Sequence, residues 1–148
     1  MSETWSVTTP NAGATRALAK RLCGRLALGQ VVALVGELGA GKTTFVQGLA
    51  QGWGVAETSD VLSPTYTLVN EYPAERGLLV HVDLYRLEDV ASARALGLEE
   101  QLARRDALVV VEWADKMPEL FGDEAVWIRF GWSSGGGRRL SVEGIRRP

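Results

Sequence analysis

Eight consecutive residues, Gly36-Glu37-Leu38-Gly39-Ala40-Gly41-Lys42-Thr43, offer the most legible chemistry in this chain. They fit G-x-x-x-x-G-K-[ST], with a strand-like apolar run before them and a helical pattern after, the context in which this spacing cradles phosphate. Glycines let successive backbone N–H groups converge on phosphate oxygens, and the N-terminus of the following helix adds partial positive charge. Lys42 is placed to reach the β- and γ-phosphates of a nucleoside triphosphate. The Thr43 hydroxyl is placed on magnesium, a hard cation that takes oxygen ligands and keeps several waters, and Thr44 carries the loop into the helix. The expected cofactors are ATP and Mg2+.

Such a site needs at least one carboxylate near the metal, and in parallel α/β sheets these groups stand where strands end. Asp83 and Glu112 each follow an apolar strand directly, so both can point at one crevice. One would ligate the metal and the other orient the attacking water, an assignment that spacing leaves open. Trp113 adjoins Glu112 and offers a flat face on which a base could stack, although with five tryptophans in the chain core packing explains any single one nearly as well. Ser63-Pro64-Thr65-Tyr66-Thr67 follows a loop where many P-loop proteins carry a γ-phosphate switch, a weak signal on spacing alone. His81 is the single histidine; it lies within an apolar strand and receives no role. Arg138, Arg139, Arg146 and Arg147 read as the solvated edge of a hairpin rather than as an RNA surface.

These residues need a scaffold that brings strand ends to a loop. Val31-Val32-Ala33-Leu34-Val35 is an unbroken apolar run between glycines, the pattern of a central parallel strand covered on both faces. From Lys42 a helix follows, with Phe45, Leu49 and Trp53 on one face and Gly52 and Gly54 ending it. An earlier helix carries Ala14, Leu18, Leu22, Cys23 and Leu26 and stops at Gly29. Strands are expected at 5–8, 67–72, 78–82 and 107–111, and a helix over 89–102 interrupted near Gly97. Val126, Ile128, Phe130 and Trp132 alternate before Ser133-Ser134-Gly135-Gly136-Gly137, and Leu140 and Val142 alternate after it, which predicts an antiparallel hairpin. The fold expected is a three-layer α/β P-loop fold with a mostly parallel sheet and an antiparallel C-terminal hairpin, in one domain over 1–148.

Composition narrows the partners. With 148 residues and 46% hydrophobic content the chain can bury one core. Its net charge of −2 gives no global reason to grip nucleic acid, so any contact with RNA is expected to run through a partner. The lone Cys23 cannot form an internal disulfide, and the N-terminus lacks the basic start and apolar stretch of a secretion signal. A cytoplasmic protein with no membrane contact is expected.

Taken together, the motifs resemble the TsaE (YjeE) family of P-loop ATPases of bacterial tRNA threonylcarbamoyladenosine synthesis. The resemblance covers about residues 15–117. It rests on the phosphate loop through Thr44-Phe45, on Ser63-Pro64-Thr65-Tyr66-Thr67-Leu68-Val69-Asn70-Glu71-Tyr72, on His81-Val82-Asp83-Leu84-Tyr85-Arg86-Leu87, on Leu96-Gly97-Leu98-Glu99-Glu100 and on Val111-Glu112-Trp113. It implies an ATPase that binds a transferase subunit and its catalytically inactive paralogue (TsaD- and TsaB-like). That complex places a threonylcarbamoyl group on N6 of adenosine 37 in tRNAs reading codons that begin with A, and hydrolysis resets it between turnovers. By the same resemblance Thr43 and Glu112 are magnesium ligands, Asp83 is the Walker-type acid, Trp113 stacks on adenine and Thr65 is the switch threonine. Ala114, where many relatives have proline, and the segment from Pro118 onward depart from the family pattern.

Two other functions share the loop. A small-molecule kinase would need an Arg-bearing lid, for which only Arg104-Arg105 offers itself, poorly placed before the strand that ends at Glu112. An ATP-regulated binding module with negligible turnover is the other. A GTPase is disfavoured because Asp83 is followed by Leu-Tyr-Arg and no N-K-x-D occurs.

Overall fold

The structure is a computed structural model that describes residues 3–37, 41–56 and 68–148. Its frame is a sheet of seven strands: β1 (Thr4–Thr9), β2 (Val31–Val35), β3 (Val69–Tyr72), β4 (Leu78–Asp83), β5 (Ala107–Glu112), β6 (Val126–Trp132) and β7 (Arg138–Glu143). They lie in the order β1-β7-β6-β2-β5-β4-β3, so the strand that precedes the phosphate loop is the middle one. The β6, β2, β5 and β4 strands run parallel, and β7, β1 and β3 close the two flanks in antiparallel pairings. All six residues of β5 are buried, as the continuous apolar run requires of a strand covered on both faces.

One face of the sheet is covered by α1 (Ala12–Leu22) and α2 (Lys42–Trp53), whose Leu18, Leu22, Phe45, Leu49 and Trp53 pack on Val32, Leu34, Leu108 and Val110. On the other face α3 (Val90–Ala95), α4 (Leu98–Leu102) and the turns after β5 bring Ala93, Leu98 and Met117 onto Val80, Val82, Val109 and Val111. Three layers result, with the mostly parallel sheet and the β6–β7 hairpin that the alternation predicts. No helix among the described residues is long and apolar enough to cross a membrane.

Three boundaries differ from the sequence reading. The α1 helix ends at Leu22 and tightens into a 3-10 turn over Cys23–Arg25; Leu26 is already extended, so Gly29 does not stop it. Gly52 lies inside α2 rather than ending it, and is glycine there because a side chain would meet Cys23 Sγ at 2.7 Å and the Lys20 carbonyl at 2.9 Å; Gly54, left-handed at φ 98, is the cap. The helix expected over 89–102 is present with its interruption: Asp89 caps α3 by accepting from the Ser92 N–H at 2.8 Å, and Gly97, at φ 79, separates α3 from α4. Of the strand expected over 67–72, Thr67 lies outside the described residues and pairing begins at Val69.

Candidate functional site at the carboxyl ends of the parallel strands

Gly36 leaves β2 with φ 156, and a Cβ there would stand 2.9 Å from Phe130 Cβ on β6, so only glycine lets the chain turn this close to the neighbouring strand. Glu37 is exposed. Leu38, Gly39 and Ala40 lie outside the described residues. Gly41 precedes the first turn of α2, and Lys42 opens the helix with Thr43 and Thr44 half-buried beside it.

The two acids come from adjacent parallel strands in register: Asp83 pairs with Glu112 at the last position of β4 and β5. Side chains opposite one another share a face of the sheet, here the face that carries α2. Both are nearly inaccessible, at 3% and 2% exposure. Asp83 Oδ1 accepts from the Tyr85 N–H at 2.8 Å, which turns the backbone around the carboxylate.

Lys42 is only 4% exposed, and its Nζ donates to the Gly36 carbonyl while lying 3.7 Å above the centre of the Trp113 ring. Burial pulls its pKa below the usual lysine value, and the charges of Glu112, Asp83 and Asp115 push the other way. Lys42, Glu112, Asp83, Gly36 and Trp113 are thus drawn together. Trp113 takes left-handed backbone angles, φ 61 and ψ 34, rare for a bulky residue. Its ring also meets Tyr85, with centroids 5.0 Å apart. Thr65 and the rest of the switch-like segment through Thr67 lie outside the described residues.

A cleft of about 420 Å³ opens beside the loop between Trp113 and Trp132, with Gly36, Glu37 and Asp115 on its walls. A larger cavity, about 610 Å³, lies where β2 begins, among Gln30, Glu99, Phe121 and Glu124, remote from the loop and both buried acids. The smaller cleft is therefore the candidate nucleotide site. The cleft itself is walled by Gly36 and Trp113, the two residues that Lys42 touches, and the donor set behind that wall fits a nucleotide and magnesium: a buried ammonium, a helix N-terminus, and the two buried carboxylates Asp83 and Glu112. No group of three or more His, Cys, Asp and Glu positioned for a metal occurs among the described residues. Magnesium held partly by phosphate and water needs only one or two carboxylates.

Sequence reasoning passed over three neighbours of this site. His81 is fully buried, with Nε2 2.6 Å from Glu112 Oε2. The signal was present, since His81 stands two residues before Asp83 and alternation puts both on one face. Arg138 is not a solvated edge residue: its guanidinium lies 3.6 Å from the Trp132 ring centre, and its stem packs against Gly41. Phe130, which alternation places in the hairpin, also lies under Gly36.

Comparison with known proteins places this geometry among relatives. The family model described as threonylcarbamoyl adenosine biosynthesis protein TsaE matches residues 9–140. The chain is 40% identical over 114 residues to the tRNA threonylcarbamoyladenosine biosynthesis protein TsaE of Synechocystis, covering 75% of this chain and 71% of that one. It is 41% identical over 102 residues to the protein so named from Aquifex aeolicus (69% and 71% covered). With the one from Bacillus subtilis it shares 40% over 120 residues (81% and 73%). Among solved structures, YdiB of Bacillus subtilis superposes with a TM-score of 0.78 at 29% identity, over 99% of this chain and 88% of that one.

Proposed function

The chain belongs to the TsaE family of threonylcarbamoyl adenosine biosynthesis proteins, and from that premise we propose that it is a magnesium-dependent ATPase that resets the transferase complex of this pathway. Its role is in tRNA threonylcarbamoyladenosine biosynthesis. The observation that carries the catalytic part is the register of Asp83 with Glu112 beside a buried Lys42 at the start of α2.

The residues divide the work as follows. Glycines and the α2 N-terminus present N–H donors to the phosphates, and Lys42 exchanges the Gly36 carbonyl for phosphate oxygens. Thr43 and Glu112 hold the metal, and Asp83 orients the attacking water. Trp113, once Lys42 has moved off its ring, turns a face to adenine. Bound magnesium, for its part, neutralises charge on the phosphates. Thr65 senses the γ-phosphate. The whole of 1–148 acts as one domain, and tRNA is met indirectly, through the TsaD- and TsaB-like partners.

A kinase lid gains no support from Arg104, whose guanidinium is tied to Asp106 at 2.9 Å and Glu71 at 3.3 Å near the start of β5. The test is ATP hydrolysis by the purified protein with and without magnesium, alone and with the transferase pair. Magnesium-dependent turnover that rises with the pair, and vanishes in Lys42→Ala, is expected. Tight ATP binding with no turnover under any of these conditions would instead identify a nucleotide-regulated binding module.

A further inference from the structure

We propose that His81 is a positioning residue for Glu112, holding one oxygen of that carboxylate so that the other is presented to the metal side of the nucleotide site. The inference rests on the reading of Glu112 as a carboxylate of that site. His81 and Asp83 share one face of β4, and register places Val110 opposite His81 and Glu112 opposite Asp83. Glu112 is therefore the diagonal neighbour of the imidazole on the same face. The two side chains meet at 2.6 Å, Nε2 to Oε2, at 0% and 3% exposure.

An ionised carboxylate offers only lone pairs, so the shared proton belongs on Nε2. Nδ1 is then left buried, with no hydrogen-bond partner among the described residues. On the side of the pair away from Asp83 the same face is apolar, with Leu79, Leu108 and Val110 in one cluster. An orphaned ring nitrogen in such surroundings costs free energy that a leucine would not. What the imidazole returns for that cost is direction: Oε2 is fixed, the carboxylate plane with it, and Oε1 remains unclaimed by His81. Carboxylates that ligate metals are commonly held by such outer partners, and losing the partner weakens metal affinity about 10–100-fold.

Two variants separate positioning from packing. In His81→Gln the amide nitrogen can reach the place of Nε2; in His81→Asn it stops at the place of Nδ1. Magnesium is titrated calorimetrically into each protein saturated with ADP, and ADP alone is titrated beforehand without metal. His81→Asn should raise the magnesium concentration for half-saturation about 10–100-fold, His81→Gln only a few-fold, and metal-free ADP affinity should stay at the wild-type value in both. Equal magnesium shifts in the two variants, or an equal loss of metal-free ADP binding, would overturn the proposal while leaving the ATP site standing. Failure of the wild-type protein to bind ADP at all would overturn the site reading and the proposal with it. Because the chain has one histidine, its imidazole nitrogens are also readable directly by 15N NMR in the unmodified protein. A proton on Nε2, with a resonance that moves in Glu112→Gln, is expected; a proton on Nδ1 instead overturns the assignment.

Discussion

At the scale of single residues, the most informative contact is Lys42 above the Trp113 ring at 3.7 Å. A cation at that distance perturbs the indole electrostatically, so the ring reports on where the ammonium is. In a variant retaining Trp113 as its sole tryptophan, ADP should change the emission, and Lys42→Ala should change it before nucleotide is added. An emission insensitive to both would mean that the pair does not persist in solution. Cys23 makes a contrasting prediction. Burial pushes its thiol up to about 11 from 9.0, and Sγ donates to the Leu49 carbonyl at 3.3 Å. The native thiol should therefore resist alkylation at pH 8 and react only as denaturant unfolds the chain. The sign for stability follows: a folded value above the unfolded one favours the fold below pH 9, and that contribution is lost as pH rises toward 11. A Cys23→Ala variant should lose this part of the alkaline decline, read from denaturant midpoints across that range.

At the scale of elements, α1 and α2 approach closely because α2 carries glycine where they touch. A Cβ on Gly48 would run into the Arg16 backbone carbonyl and meet Ala19 Cβ at 2.8 Å. Alanine normally improves a helix by about 1 kcal/mol over glycine. Overpacking costs about 1–3 kcal/mol, and a backbone carbonyl cannot swing aside, so Gly48→Ala should be net destabilising in urea titrations; a gain would mean that the helices separate at little cost. The same helices show what the sequence made legible. Apolar runs located β2, β4 and β5, and the ends of those runs named Asp83 and Glu112, because burial on both faces leaves an unbroken hydrophobic signal. Helix ends were harder to read. The α1 pattern continued into Leu26 although the chain there had already tightened into a 3-10 turn, since a buried side chain just past a helix keeps the periodicity alive. The contact of His81 with Glu112 and the return of Arg138 to Gly41 depend on which strands are neighbours, and one chain's periodicity does not state strand order.

At the scale of the whole molecule, the sheet joins a parallel centre that carries the site to an antiparallel flank built from both ends of the chain. Trp5 on β1 donates through Nε1 to the Ile145 carbonyl at 2.9 Å and is 9% exposed, which ties the N-terminal strand to the segment after β7. Two strands, β7 and β6, separate β1 from β2. At about 4.8 Å between strands, Trp5 therefore stands roughly 14 Å across the sheet from the strand that feeds the phosphate loop. Trp5→Ala should cost about 3–5 kcal/mol, the range for removing a buried aromatic. Nucleotide binding stabilises the folded state by mass action, about 2.7 kcal/mol at a hundred times Kd. Because sites this far apart with no shared partner behave additively, ADP at that multiple should add the same increment to wild type and to Trp5→Ala in denaturant titrations. The alternative has a definite route, from β7 through Phe130 on β6 to Gly36, where the loop begins. A smaller increment in Trp5→Ala would show that this route carries strain from the flank to the loop. Equal increments would show that the parallel centre holds the site by itself.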